Sequence, residues 1–177
     1  MHVKRDSNEF TIEMKREDGK NEPIVVSACL VGLRCRYNGK VLDSEIVTKV
    51  LKYLKGRWFV PICPEQLGGL PTVRFPMEIE HGQGEDVLDG KARVIDSEGF
   101  DRTAEMVRGA REAYRIAELT GARIALLKDG SPSCGSHLIT RKGGKVEGMG
   151  VAAALFKRQG MVIVSEGDLA GFEREGS

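Results

Sequence analysis

The stretch IVVSAC, residues 24–29, decides the fold of this chain. Its β-branched residues followed by small ones are typical of a short strand that is buried on both faces. Runs of the same kind follow at residues 58–62, 122–127 and 161–164. The last three runs are followed directly by Cys63-Pro64, Lys128-Asp129 and Ser165-Glu166. We therefore predict that these four segments form the central strands of one sheet.

Helical segments separate the predicted strands. Residues 43–44 can cap a helix whose apolar side chains recur every three or four positions, and Gly56 ends it. Asp101 can cap a second helix that Gly121 ends, and a third helix opens after residues 148–150. Strands that alternate with helices predict a mostly parallel sheet with helices on both faces, which is a Rossmann-like α/β fold.

Two regions lie outside this alternation. Residues 64–90 contain many glycines and prolines without clear periodicity, so we expect a functional loop or a lid there. A short strand at residues 91–96 follows it. Residues 1–22 are polar and charged, and we expect an N-terminal extension, either an edge hairpin or a loose arm. Residues 23–177 are then expected to form a single α/β domain.

The composition is that of a globular protein with little net charge. The chain has 177 residues, of which 41% are hydrophobic and 30% charged, and its net charge is +1. The electrostatic field of the chain is therefore too weak to attract nucleic acid or a membrane surface. No apolar run approaches the roughly 20 residues of a membrane span. The first residues lack the apolar stretch of a secretion signal, so we expect a cytoplasmic protein.

Three cysteines follow three of the predicted strands. Cys29 ends the first strand segment, Cys63 follows the second, and Cys134 lies in the loop after the third. Because the carboxyl ends of parallel strands meet at one edge of the sheet, we expect these thiols to share a site. Disulfide bonding would need an oxidising compartment, and packing as small hydrophobic residues is the simplest alternative.

Thiolates at these positions favour a soft metal, either zinc or an iron–sulfur cluster. Structural zinc sites usually have paired C-x-x-C spacing, which is absent from the sequence. Isolated cysteines from three loops resemble a cluster site with three protein ligands and one open iron. The fourth cysteine, Cys35, could be a ligand, a thiol that supports the ligands, or a packed side chain.

Two residues beside the cysteines are candidates for catalysis. Glu65 follows Cys63 by two positions and could move protons or activate water. Ser131 precedes Cys134 by three positions, and its hydroxyl could bind the substrate or the leaving sulfur, although serine before proline also marks a turn. His81 and His137 could bind metal or transfer protons. Histidines in polar loops more commonly have no such role.

Several residues could bind an anionic substrate. Lys128 offers a positive charge at the same sheet edge, and Arg36 and Arg74 are candidates for contacts with a phosphate. Gly148 and Gly150 precede a helix, where exposed N–H groups can hold an anion. A solvated lysine and a flexible helix entry are the simpler interpretations of Lys128 and the two glycines.

At these residues the sequence resembles the domain of unknown function family 523, whose characterised members are thiouracil desulfidases. The resemblance covers roughly residues 24–166. It is carried by four motifs in order, at residues 26–30, 35–39, 63–71 and 131–135.

The resemblance implies a 4Fe–4S cluster held by Cys29, Cys63 and Cys134, with the fourth iron free for the substrate's sulfur. It implies Glu65 and Ser131 as the catalytic pair. The implied reaction replaces the C=S of a thiolated uracil by C=O and releases sulfide without net redox change. The substrate could be the free base, a nucleoside, a nucleotide or thiolated tRNA, although the small net charge argues mildly against a large tRNA footprint.

Two other functions remain open on the sequence. The chain could be a non-enzymatic carrier of a cluster or zinc ion. It could also be a thiol redox enzyme that uses Cys29 and Cys35.

Overall fold

A computed structural model describes residues 22–169 of the chain, and the secondary structure below refers to this range. Nearly all of the predicted extension at residues 1–22 lies outside it. The strands are β1 (Ile24–Ser27), β2 (Phe59–Ile62), β3 (Met77–Ile79), β4 (Val94–Asp96), β5 (Ile124–Leu127), β6 (Leu138–Arg141), β7 (Gly144–Glu147) and β8 (Val162–Ser165). The helices are α1 (Ser44–Leu54), α2 (Pro64–Leu67), α3 (Gly84–Leu88), α4 (Thr103–Thr120) and α5 (Val151–Arg158), and a 3₁₀ turn spans Ala28–Val31.

The central sheet has the order β2-β1-β5-β8, and each neighbouring pair is parallel. Strand β1 lies inside the sheet between β2 and β5, and all four of its residues are buried. This burial on both faces explains why its sequence is a continuous apolar run rather than an alternating one. The predicted parallel α/β fold is confirmed.

Helices cover both faces of this sheet. Ile24 and Val26 of β1 pack in one cluster with Val50 and Leu54 of α1. Val25 points to the opposite face and packs in a cluster with residues of α4 and α5. Successive strand residues point to opposite faces, so one short run supplies both halves of the core.

The region predicted as one long loop contains three short elements, and that expectation is corrected. Within residues 64–90 the structure has α2, β3 and α3. Strand β3 pairs antiparallel with β4, and both pack against a cluster that includes residues of α4 and α5. A second antiparallel pair, β6 with β7, extends the loop region after β5. Unlike the apolar runs of the central sheet, the elements within residues 64–90 lie among glycines and prolines and show no clear periodicity.

The crossing of α2 and α4 requires glycine at position 109 of α4 and at position 68, directly after α2. A Cβ atom at Gly109 would overlap the carbonyl oxygen of Pro64, and one at Gly68 would overlap that of Glu105. The backbones therefore approach more closely than any side chain permits. This close contact fixes the turn that follows β2, where Cys63 and Glu65 lie.

No helix within residues 22–169 is long and apolar enough to cross a membrane.

Candidate metal centre

The structure brings Cys29, Cys63 and Cys134 to one cavity at the carboxyl edge of the central sheet. Cys29 lies in the 3₁₀ turn after β1, Cys63 directly after β2, and Cys134 in the loop after β5. All three line a cavity of about 460 Å³, a size typical of ligand sites. Cys35 lines the same cavity, and all four thiols are free of disulfides.

The loop that carries Cys134 is held by the first turn of α5. The N–H of Val151 donates to the carbonyl of Pro132 at 2.9 Å, and the N–H of Ala152 donates to that of Ser133 at 2.9 Å. The first N–H groups of a helix have no partner inside it, so this loop satisfies them. The amino end of α5 is therefore occupied by the loop itself.

Asp129 fixes the other side of the same loop. Its Oδ1 accepts hydrogen bonds from the N–H groups of Ser136, His137 and Leu138 at 3.0, 3.0 and 2.9 Å. Burial alone would raise the pKa of this carboxyl, but these bonds outweigh burial and lower its pKa. The aspartate thus ties the start of the loop to the start of β6.

Cys63 and Glu65 are neighbours at the amino end of α2. Pro64 occupies the first turn of this helix, where its missing N–H costs nothing. The Sγ atom of Cys63 lies 3.9 Å from Oε2 of Glu65 and 3.8 Å from the carbonyl oxygen of Cys35. Burial raises the pKa of Glu65, and Arg74 opposes that shift.

Arg74 serves this carboxylate rather than a phosphate. Its guanidinium forms an ion pair with Glu65, and Nη1 donates to the carbonyls of Cys35 at 3.1 Å and Pro71 at 3.2 Å. Its side chain is 5% exposed and that of Glu65 is 15% exposed. The phosphate contact predicted for Arg74 is therefore replaced by an internal ion pair. Sequence reasoning missed this pair because nine positions separate the partners and no helical or strand repeat links them.

The thiols have the properties expected of ligands for a cationic group. The neighbouring Cys35 thiol and then burial raise the pKa of Cys63, and burial raises that of Cys134. Neutral thiols are thus favoured unless a positive centre among them stabilises the thiolates. Soft thiolates with no paired C-x-x-C spacing fit an iron–sulfur cluster better than zinc.

Residues 22–169 contain no group of three or more His, Cys, Asp or Glu side chains arranged to hold a single metal ion. This does not conflict with a cluster, because each thiolate of a cluster binds a different iron atom. The ligands of a cluster therefore surround a larger volume than those of one ion.

Ser131 lines the cavity. Its hydroxyl oxygen already accepts two hydrogen bonds from the backbone. The N–H groups of Ser133 and Cys134 donate to Oγ at 3.1 and 3.2 Å. The hydroxyl proton has no acceptor among the described residues, so it can donate to a bound molecule. The turn-forming and the functional interpretations of Ser131 are thus compatible.

The predicted cations Arg36 and Lys128 also line the cavity. Lys128 forms an ion pair with Glu166, and its Nζ donates to the carbonyl of Asp129 at 2.7 Å. Arg36 has no ion pair with any of the residues that the structure describes, and neither has Lys145, which sequence reasoning did not select. Lys145 reaches the cavity because the β6–β7 pair folds back toward it, and no sequence signal predicted that pair.

The two glycines predicted to bind substrate have a packing role instead. The N–H of Gly148 donates to His137 O at 3.0 Å, and that of Gly150 donates to Gly135 O at 2.8 Å. Neither lines the cysteine cavity, and a Cβ atom at Gly150 would overlap the backbone of Ser133. Their N–H groups are thus not free for an anion.

The two histidines lie away from the cysteine cavity. His81 Nε2 lies 3.0 Å from the carbonyl oxygen of Lys91, and His137 Nε2 lies 3.1 Å from Oδ2 of Asp168. Neither histidine lines the cavity, so neither is positioned to bind a metal held by the cysteines.

Comparison with known proteins agrees with this geometry. The family model for 2-thiouracil desulfurase matches residues 24–168. The uncharacterized protein YbbK of Bacillus subtilis (strain 168) is 44% identical over 149 residues, which cover 82% of this chain and 97% of that protein. The solved structure of the [4Fe-4S]-dependent thiouracil desulfidase TudS is 35% identical, with a TM-score of 0.68, and the match covers 86% of this chain and 96% of that one. The resemblance found in the sequence motifs is confirmed, and the chain belongs to the 2-thiouracil desulfurase family.

Proposed function

We propose that this chain is a desulfidase that replaces the C=S of a thiolated uracil by C=O, consuming water and releasing sulfide. Family membership supports the reaction, and the similar TudS structure is named as [4Fe-4S]-dependent. The observation that carries the proposal is the meeting of Cys29, Cys63, Cys134, Glu65 and Ser131 in one cavity. No electron is transferred overall, so the reaction needs no external reductant.

Cys29, Cys63 and Cys134 are the proposed ligands of the 4Fe–4S cluster. They come from the ends of three neighbouring strands, β1, β2 and β5, so the sheet fixes their relative positions. When bound, the cluster supplies an iron that acts as a Lewis acid toward the soft sulfur of the substrate.

Glu65 is the proposed group that moves protons. Its Oε2 contacts Arg74 and Cys63, while Oε1 has no hydrogen bond from the residues that the structure describes. Oε1 can therefore accept a proton from the water that attacks the carbon of the thiocarbonyl group. Burial raises the pKa of Glu65 from its ordinary range, which makes it a better proton acceptor.

Ser131 is the proposed group that orients the base. Its oxygen is held by the N–H groups of Ser133 and Cys134, and its proton can donate to a ring carbonyl or to the leaving sulfur. The same hydrogen bonds connect this serine to the backbone of a proposed cluster ligand. A substrate held by Ser131 is therefore placed beside the cluster position.

Arg36, Lys128 and Lys145 are the proposed contacts for an anionic substituent on the substrate. All three line the cavity, and Arg36 and Lys145 lack ion pairs with the rest of the described chain. Two such cations favour a thiolated uracil nucleotide, whose phosphate would pair with them, over the free base. The cavity of about 460 Å³ fits a small molecule.

The test is sulfide release by protein reconstituted anaerobically with iron and sulfide. The proposal predicts sulfide in a one-to-one ratio with uracil from 2-thiouracil or 4-thiouracil, and with the corresponding uridine nucleotide from their nucleotides. Cys63→Ala should lose both the cluster absorption and the activity, while Thr48→Ala, on the exposed side of α1, should keep both. A protein that binds the cluster but releases no sulfide from any of these compounds would be a carrier, and the proposal would be wrong.

A further inference from the structure

The fourth cysteine, Cys35, is buried beside the cavity that the other three cysteines line. Its residue is 4% exposed. It belongs to none of the three apolar clusters of the described chain, whereas Cys134 packs within one of them. It lines the same cavity as Cys29 and Cys63, so it borders the space in which a cluster would be bound.

Cys35 shares the cavity with two of the proposed cluster ligands, Cys29 and Cys63. The Sγ atom of Cys63 lies 3.8 Å from the carbonyl oxygen of Cys35. All three side chains line the cavity, and none forms a disulfide. Cys35 therefore lies where a bound cluster would meet it.

The backbone of Cys35 is fixed at both of its polar groups. Its N–H donates to the carbonyl of Leu33 at 3.0 Å, and its carbonyl accepts from Nη1 of Arg74 at 3.1 Å. Arg74 also pairs with Glu65, so one guanidinium ties the Cys35 turn to the proposed proton carrier. A buried cysteine whose backbone is held in this way is well placed to serve as a metal ligand.

We propose that Cys35 is a fourth, exchangeable thiolate ligand of the cluster, which occupies the open iron until the sulfur of the substrate displaces it. This inference depends on the proposed function. Clusters of this type are usually held by four thiolates, and the cavity supplies four. In the exchange, one iron–sulfur bond to Cys35 breaks and one to the substrate forms. The released thiolate takes the proton that the attacking water gives up through Glu65 and returns it to the leaving sulfide when it binds the iron again, and no electron moves.

The test measures how readily the fourth iron is lost. An iron without a protein ligand is removed more easily when the cluster is oxidised with ferricyanide, which leaves a three-iron cluster with its own EPR signal. Wild type, Cys35→Ala and the control Leu33→Ala are reconstituted anaerobically and oxidised without substrate. Leu33 lies on the same turn, and its residue is 49% exposed.

We expect Cys35→Ala to form the three-iron cluster roughly tenfold faster than wild type, at the low end of what losing a group at a metal site costs. Leu33→Ala should match wild type. Cys35→Ala should also release sulfide with a lower KM, because the substrate no longer competes with a thiolate. Cys35→Ser, which is nearly isosteric, serves as the second variant if the alanine protein does not fold.

Equal rates of iron loss in wild type and in both Cys35 variants would overturn this inference while leaving the proposed function intact. Variants that fold but take up no cluster would make Cys35 a permanent ligand, which also contradicts exchange. A wild-type chain that takes up no iron would contradict both proposals.

Discussion

Arg74 is the residue that joins the most parts of the proposed site. It contacts the carboxylate of Glu65 and the carbonyls of Cys35 and Pro71, and it is almost fully buried. Its Nε has no hydrogen-bond partner in the described chain. A buried cation in this position is tolerated because Glu65 compensates its charge. The position of Glu65 thus depends on a residue nine positions away in the sequence.

Arg74→Gln should lower kcat roughly 10²-fold, which is the low end of what a positioned proton carrier contributes. The reason is that Glu65 loses the partner that holds Oε2. Steady-state kinetics of the reconstituted protein measure this change, and the iron content should stay that of wild type. Arg74→Lys should recover part of kcat because it keeps the charge but loses the fork of donors.

A surface pair provides the control for Arg74. Arg93→Gln removes an ion pair with Glu80 in which both side chains are largely exposed, and such pairs contribute little. Arg93→Gln should leave kcat unchanged. An Arg74→Gln protein with the kcat of wild type would show that this arginine does not position Glu65.

The sequence selected the cysteines, Glu65 and Ser131 as candidates because each lies beside a strand end or a cysteine, and all of them line one cavity. It could not identify what Arg74 contacts, since that pairing is made through space. The interpretation of Gly148 and Gly150 as an anion site followed from a helix entry alone. The structure shows that carbonyl groups of the Cys134 loop accept hydrogen bonds from the first N–H groups of that helix.

Among the secondary-structure elements, the α2–α4 crossing controls where Cys63 and Glu65 lie. Gly109 of α4 packs directly on the carbonyl of Pro64, and Gly68 packs on that of Glu105. Any side chain at Gly109 would push α2 and its attached cysteine away from α4. The contact therefore transmits helix packing to the proposed cluster site.

Gly109→Ala should lower the free energy of unfolding by about 1–3 kcal/mol, as overpacked cores do, and should also lower the iron bound per chain. Urea unfolding and iron analysis measure the two effects. Gly144→Ala is the matched control, because a Cβ atom there would meet only the carbonyl oxygen of Arg141 at 3.7 Å. A Gly109→Ala protein as stable as the control would contradict the close contact.

The loop after β5 should be sensitive to acid through Asp129. Hydrogen bonds lower the pKa of this carboxyl in the folded chain, below the value of about 3.9 in an unfolded one. Its contribution to stability is therefore complete above about pH 4 and is lost as the pH falls through the folded pKa.

Asp129→Asn should be less stable than wild type at neutral pH, and the difference should shrink as the pH falls below about 4. Urea unfolding of the metal-free protein at a series of pH values measures it. A difference that stays constant across this range would show that the charge of Asp129 does not stabilise the loop.

Elements with a strong apolar run or stripe were predictable, and those without one were not. Strands β1, β2, β5 and β8 are apolar runs, and α4 carries an apolar stripe over 18 residues. In contrast, α2, β3 and α3 lie in a segment rich in glycine and proline that shows no such pattern. These are stabilised by packing against the rest of the chain, which a local pattern does not contain.

For the chain as a whole, the parallel sheet explains why residues more than 100 positions apart share one site. The order β2-β1-β5-β8 places the ends of β1, β2 and β5 side by side, and each end carries one of the proposed ligands. The alternation of strands and helices was sufficient to predict this meeting. It was not sufficient to predict Lys145, because the β6–β7 pair that carries it lies outside the alternation.

Iron-edge anomalous diffraction from crystals of the anaerobically reconstituted protein tests the central claim most directly. The account predicts one compact group of iron peaks in the cavity, within bonding distance of the Sγ atoms of Cys29, Cys63 and Cys134. Iron at another place on the chain, or bound by only one of these cysteines, would contradict it.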